Sequence, residues 1–171
     1  MSQGNGEGSE PKKGVNPPKY TSGNLIKMFR KAARLRNEML AEGFTDNGGA
    51  IHSAERIINL LGLRLNYPNL SHGNNLRLYP GAEFSIKALA VHKAGGKVLI
   101  EHVSPIRDFT RRAIVNLDEG ASDEQLEEFV RSHYRLVLLT PEETLHLNKH
   151  NRSRMVPDRL DLAGIKLVQS S

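Results

Sequence analysis

Two groups of imidazole- and carboxylate-bearing residues mark where this sequence could do chemistry. Glu101 and His102 are adjacent near the end of the apolar run Lys97 to Val103, and His146 and His150 stand four residues apart further on. An i, i+4 spacing on a helix puts two imidazoles on one face, near enough to bind one ion. Imidazole titrates near neutrality, which suits His102 to the part of a general base. Neighbours on a strand point to opposite faces, so Glu101 and His102 share a site only where the pleat breaks, and Pro105 is placed to break it. Each pair also has a plain structural reading: a hydrogen-bonded histidine at a strand end, and two solvent-facing side chains on a helix.

The elements that must position these residues lie in the C-terminal half. Lys97 to Val103 is β-branched and apolar, is bounded by Gly95-Gly96 and Ser104-Pro105, and predicts a buried strand. Ser104-Pro105 opens a short helix with Ile106, Phe109, Ala113 and Ile114 inward. Ser122 to His133 predicts a further helix, with Ser122 and Gln125 at capping-box spacing. Arg135 to Leu139 is a second short strand. Thr140-Pro141-Glu142-Glu143 then starts a helix to about Asn151 by three local rules: Thr as N-cap, Pro at N1, Glu at N3. Asn148 and Asn151 fall on other faces of that helix from the histidine pair.

The N-terminal half reads as mainly helical over residues 24–94. Asn24 to Phe44 predicts an amphipathic helix with Leu25, Met28, Phe29, Ala32, Leu35, Met39 and Leu40 on one arc. Lys27, Arg30, Lys31 and Arg34 occupy the opposite arc, which is either a phosphate-contacting face or an ordinary solvated one. Ala50 to Leu61 predicts a second helix stopped by Gly62, Leu63 to Pro80 an irregular crossing, and Gly81 to Ala94 a helix, although Phe84, Ile86 and Ala88 alternate like a strand. Residues 1–23, rich in Gly and Pro and poor in large apolar side chains, predict a disordered basic tail, leaving 24–171 as one globular domain.

Composition narrows the function classes. With 171 residues the chain makes one domain and a tail. No cysteine is present, which excludes a disulfide framework, a zinc ribbon and a thiol nucleophile. There is no long apolar run and no apolar signal region, so the expectation is a soluble, cytoplasmic protein with no membrane partner. A net charge of +5 and a pI near 9.6 suit a polyanionic partner. Aromatic residues are only 5% with no tryptophan, which disfavours a specialist that stacks single-stranded bases.

The order strand with Glu101-His102-Val103-Ser104-Pro105, inserted helices, short strand, then Leu138-Leu139-Thr140-Pro141-Glu142-Glu143 running into Leu147-Asn148-Lys149-His150-Asn151-Arg152 resembles the HNH endonucleases of the ββα-metal fold. The resemblance covers Lys97 to Arg154, about a third of the chain. It implies an α+β fold: a helical N-terminal half, then a ββα-metal-like core with a helical insertion between its strands. It also implies one divalent ion, of which Mg, Mn, Ni and Zn are the candidates, held by Glu101 and His150, with His146 as a further ligand or a phosphate contact and His102 as the general base. The family's central Asn, which orients that base, has no counterpart on the second strand; Asn116 could serve if the insertion folds back.

The function expected is a metal-dependent endonuclease that hydrolyses phosphodiester bonds in nucleic acid, DNA in the first instance, either alone or as a homodimer. Lys27, Arg30, Lys31, Arg34, Arg111, Arg112, Arg152 and Arg154 would hold the sugar–phosphate backbone, which positions a duplex without reading it. The alternative is a non-catalytic nucleic-acid-binding or partner-binding protein with a degenerate ββα core. A third reading is a small α+β protein whose charge serves solubility alone.

Overall fold

Leu136–Leu139 (β2) is a run of four large aliphatic residues, so it can only lie where both faces are covered, and all four are buried. On one edge it pairs antiparallel with Leu99–His102 (β1), in the register Ile100 to Leu138, Glu101 to Val137 and His102 to Leu136. On its other edge Phe84 forms a parallel bridge to Leu138, so β2 is the central segment. The structure, a computed structural model, describes residues 20–169.

Among the described residues nine helices and strands follow in chain order, mixed as an α+β protein. They are α1 (Ser22–Ala41), α2 (His52–Asn66), α3 (Ile86–Lys93), β1, α4 (Ile106–Asp118), α5 (Asp123–His133), β2, α6 (Pro141–Asn151) and α7 (Arg159–Leu162); a 3-10 helix spans Gly73–Leu78. Side chains alternate across the sheet. Leu136 and Leu138 enter a core shared with α1, α2, α4 and α5, while Val137 and Leu139 pack on the other side with Leu147 of α6 and Leu160 of α7. Directly opposed residues of an antiparallel pair share a face. Glu101, opposite Val137, therefore belongs to the α6 side, and His102, opposite Leu136, to the α2 and α5 side.

The local capping rules hold where they were strongest. Thr140 and Glu143 form a full capping box with Pro141 at N1, and Ser122 and Gln125 form another. Glu143 is further buried under Ser85, whose Oγ donates to its carboxylate at 2.5 Å.

Elsewhere the structure corrects the sequence reading. Helix α2 runs through Gly62 to Asn66. Gly62 is there because the Tyr134 ring lies against it: a Cβ would come within 2.3 Å of the ring carbons. The stretch expected as a helix from Gly81 is extended through Phe84, and α3 begins only after the N-cap Ser85, whose Oγ accepts from Ala88 N. In α1 the buried stripe is Leu25, Ile26, Phe29, Ala32 and Ala33, whereas Met28, Leu35 and Leu40 remain exposed. The stripe is rotated toward Ile26 and Ala33, the side on which α1 meets its neighbours. The expected tail lies outside the described residues over 1–19, and Ser22 and Gly23 already belong to α1. Among the described residues no helix is long and apolar enough to cross a membrane.

Candidate functional site

Beyond His102 the chain turns at Ser104-Pro105 into α4, and the carboxyl end of β1 opens into a cleft of about 690 Å³. Glu101 and His102 both line it, with Arg107 and Arg111 from α4, Asn148 and Arg152 from the end of α6, and Arg159. The pleat sends the two side chains to opposite faces, but β1 is paired on one edge only, and the cleft takes in both faces at the strand's end.

His102 is held by groups from two distant helices. Its Nε2 lies 2.8 Å from Asn59 Oδ1, and the same oxygen accepts the Tyr134 hydroxyl at 2.7 Å. An amide oxygen only accepts, so Nε2 carries the proton and Nδ1 keeps its lone pair. Tyr134 also meets the imidazole edge to face, with ring centroids 5.6 Å apart. Burial is the main reason that the imidazole pKa is lowered to about 4, and the Arg159 guanidinium adds to it. His102 is thus neutral across the physiological range. The same burial raises the pKa of Tyr134.

Arg159 is almost fully buried, 2% exposed. Its Nη1 donates to the His102 carbonyl at 2.9 Å and its Nε to the Asn151 carbonyl at 2.8 Å, joining the end of β1 to the end of α6. Burial lowers its pKa and Glu101 opposes that fall. Glu101 accepts no hydrogen bond from a described side chain, and burial raises its pKa against the pull of Arg159. Arg107 is neutralised by Glu55 at 2.7 Å and Arg111 by Asp46 at 2.8 Å. Arg152 is exposed and has no carboxylate partner among the described residues.

The metal ligand set of the sequence reading is not brought together. His146 is exposed and lines no part of the cleft; His150 lies in an adjoining cavity. The reason is helical phase. Leu147 turns into the core beside Val137 and Leu139. At about 100° per residue this leaves Asn148 toward the cleft, while positions two removed on either side face away. Among the described residues no three His, Cys, Asp or Glu side chains converge on one point. The residues that line the cleft beside Glu101 include the Asn148 amide and the His102 imidazole, an oxygen and a nitrogen donor.

The basic residues also divide. Arg111 and Arg152 line the cleft and Arg154 the adjoining cavity. Arg112 is a fastener, donating to the Met155 carbonyl at 3.0 Å and pairing with Asp108. Arg30 ties α1 to Asp123 and to the Ala121 carbonyl, at 2.7 and 2.9 Å. Lys27, Lys31 and Arg34 are exposed on α1 and border neither the cleft nor the cavity beside it.

No family model matches this chain, and no curated protein or solved structure does. Its own geometry therefore carries the functional argument.

Sequence reasoning missed Asn59 and Arg159. Asn59 sits between the buried Ile58 and Leu61, where apolar spacing gives a polar residue no special weight. Asn116, which the resemblance offered for the same duty, is on α4 and does not bond His102. Arg159 lies beyond the last element the sequence defined, and nothing in its neighbours announces a buried guanidinium.

Proposed function

We propose that the cleft hydrolyses phosphodiester bonds and that the protein is an HNH-like, metal-dependent endonuclease. In this reading β1, β2 and α6 form a ββα core and α4 and α5 its insertion. The observation that supports it is that a neutral histidine and an unpaired carboxylate share one arginine-lined cleft.

The chain's residues divide the work. Asn59 holds the Nε2 proton, so Nδ1 is the atom that takes a proton from water. The resulting hydroxide bonds to phosphorus, and the ester oxygen departs. Arg152, free of any carboxylate, meets the phosphate, while Arg159 adds positive potential and fixes the His102 backbone. A divalent cation such as Mg²⁺, held through Glu101 and Asn148 and completed by substrate oxygens, would offset the charge that develops on the phosphate. An imidazole of such low pKa is a weak base in the free protein; the anionic substrate favours its protonated form and raises that pKa during turnover.

One observation favours a second reading, binding without cleavage: α6 offers the cleft Asn148 and not His146 or His150, leaving Glu101, among the described residues, as the only carboxylate free for a cation there. Supercoiled plasmid incubated with Mg²⁺, Mn²⁺ or Ni²⁺, with and without EDTA, separates the two. Nicking that needs metal and is lost in His102→Ala supports the nuclease. Salt-sensitive binding with no nicking under any ion refutes it in favour of the binding module.

A further inference from the structure

Around Arg152 and Arg159 the cleft adjoins a second cavity of about 390 Å³. The two share Arg152, Ser153 and Arg159, and the second is also lined by His150 and Arg154. No carboxylate lines it. Two of its three arginines are not neutralised by neighbours either. Arg152 and Arg154 are exposed and make no ion pair among the described residues, and Arg159 gives its Nε and Nη1 to backbone carbonyls. The turn that carries Arg152 and Arg154 is fixed by the Asn151 side chain. Asn151 Oδ1 accepts from Arg154 N, and Asn151 Nδ2 donates to the Arg154 carbonyl, both at 2.9 Å.

A cavity lined by cations, sharing Arg152 and Arg159 with a site for one phosphate, fits a second phosphate of the same strand. We propose that this cavity, through Arg154 and His150, binds the phosphate next to the one held in the cleft, so that the ligand is a polynucleotide chain and not a small phosphodiester. The inference rests on the reading of the cleft as a phosphodiester site. It also gives His150 a duty outside the cleft, as a contact to the backbone.

The test is binding of the full chain to a labelled duplex of about 16 base pairs, in EDTA, between about 50 and 200 mM salt. Each phosphate contact adds about 0.9 to the slope of log Kd against log salt on duplex DNA. Arg154→Ala is expected to weaken binding about three- to tenfold at the lowest salt and to lower that slope by about 0.9. Arg154→Lys should restore most of the slope, because it keeps the charge. Adding His150→Ala to Arg154→Ala should weaken binding further. Lys93→Ala, which removes an exposed cation that lines neither cavity, should leave the slope unchanged.

If Arg154→Ala behaves like Lys93→Ala while the unaltered chain binds and nicks DNA, the second subsite is wrong and the nuclease reading stands. If the unaltered chain binds no duplex even at the lowest salt, both fall together.

Discussion

Acid should weaken this fold from about pH 6.5 downward, and His102 sets the size of the effect. In the folded chain the imidazole pKa is lowered to about 4 from an ordinary value of 6.5. The unfolded chain takes up a proton as pH falls through 6.5, and the folded chain does not until about 4. Between those values the unfolded state binds more protons, so stability rises with pH and is lost on acidification. Above the upper value both states are neutral and nothing is lost. At 1.36 kcal/mol for each tenfold change in proton affinity, the interval is worth about 3 kcal/mol, a large part of the stability of a domain this size. Glu101 works the other way: its raised pKa makes the ionised form costly, and acid relieves that cost. The comparison that isolates His102 is therefore urea unfolding of the unaltered chain and His102→Gln at a series of pH values from about 7.5 to 4. The glutamine amide can still donate to Asn59 but cannot titrate. The unaltered chain should lose about 3 kcal/mol more than the variant across the series. Parallel curves would refute the argument, as would an imidazole NMR titration of the folded chain centred near 6.5.

Three further outcomes follow from packing and hydrogen bonding. Gly62→Ala places a methyl against the Tyr134 ring and should cost about 1–3 kcal/mol in unfolding free energy, whereas replacement by Ala elsewhere in a helix usually stabilises. Arg159→Leu strands the His102 and Asn151 carbonyls in a buried place and should lower stability by about 2–4 kcal/mol in the same urea measurement; a neutral result would show that water replaces the guanidinium. Asn59→Asp sets a carboxylate against Nε2 and should raise the His102 pKa, while Asn59→Leu releases the tautomer, both visible in imidazole ¹⁵N shifts. An unchanged ¹⁵N spectrum in both variants would remove Asn59 from its positioning role.

What the sequence made legible was local. The Thr140-Pro141-Glu143 start of α6 and the Ser122-Gln125 start of α5 depend on residues three apart, and both form as expected. The apolar run at Leu136 required burial on both faces and has it. What stayed hidden depends on distant partners. Gly62 carries the same letter whether it ends a helix or admits an aromatic ring, and only Tyr134, 72 positions on, decides which. The phase of α6 is set by Leu147 packing under Val137, so an i, i+4 histidine pair identifies a face but not what that face meets. Asn59 becomes a histidine partner only because α2 lies across the end of β1, and neither element signals the other.

The guanidinium that braces the His102 carbonyl has a bearing on biosynthesis. Arg159 reaches back over more than 50 residues to the backbone it secures. A nascent chain stalled before this residue leaves the ribosome has both strands and α6 but lacks the brace for the ends of β1 and α6. Proteolytic nicking between Arg152 and Asp158, where the chain has little regular structure, would loosen the same joint in the finished molecule. Maturation of the cleft is thus tied to synthesis of the segment around α7, and the histidine acquires its final setting late.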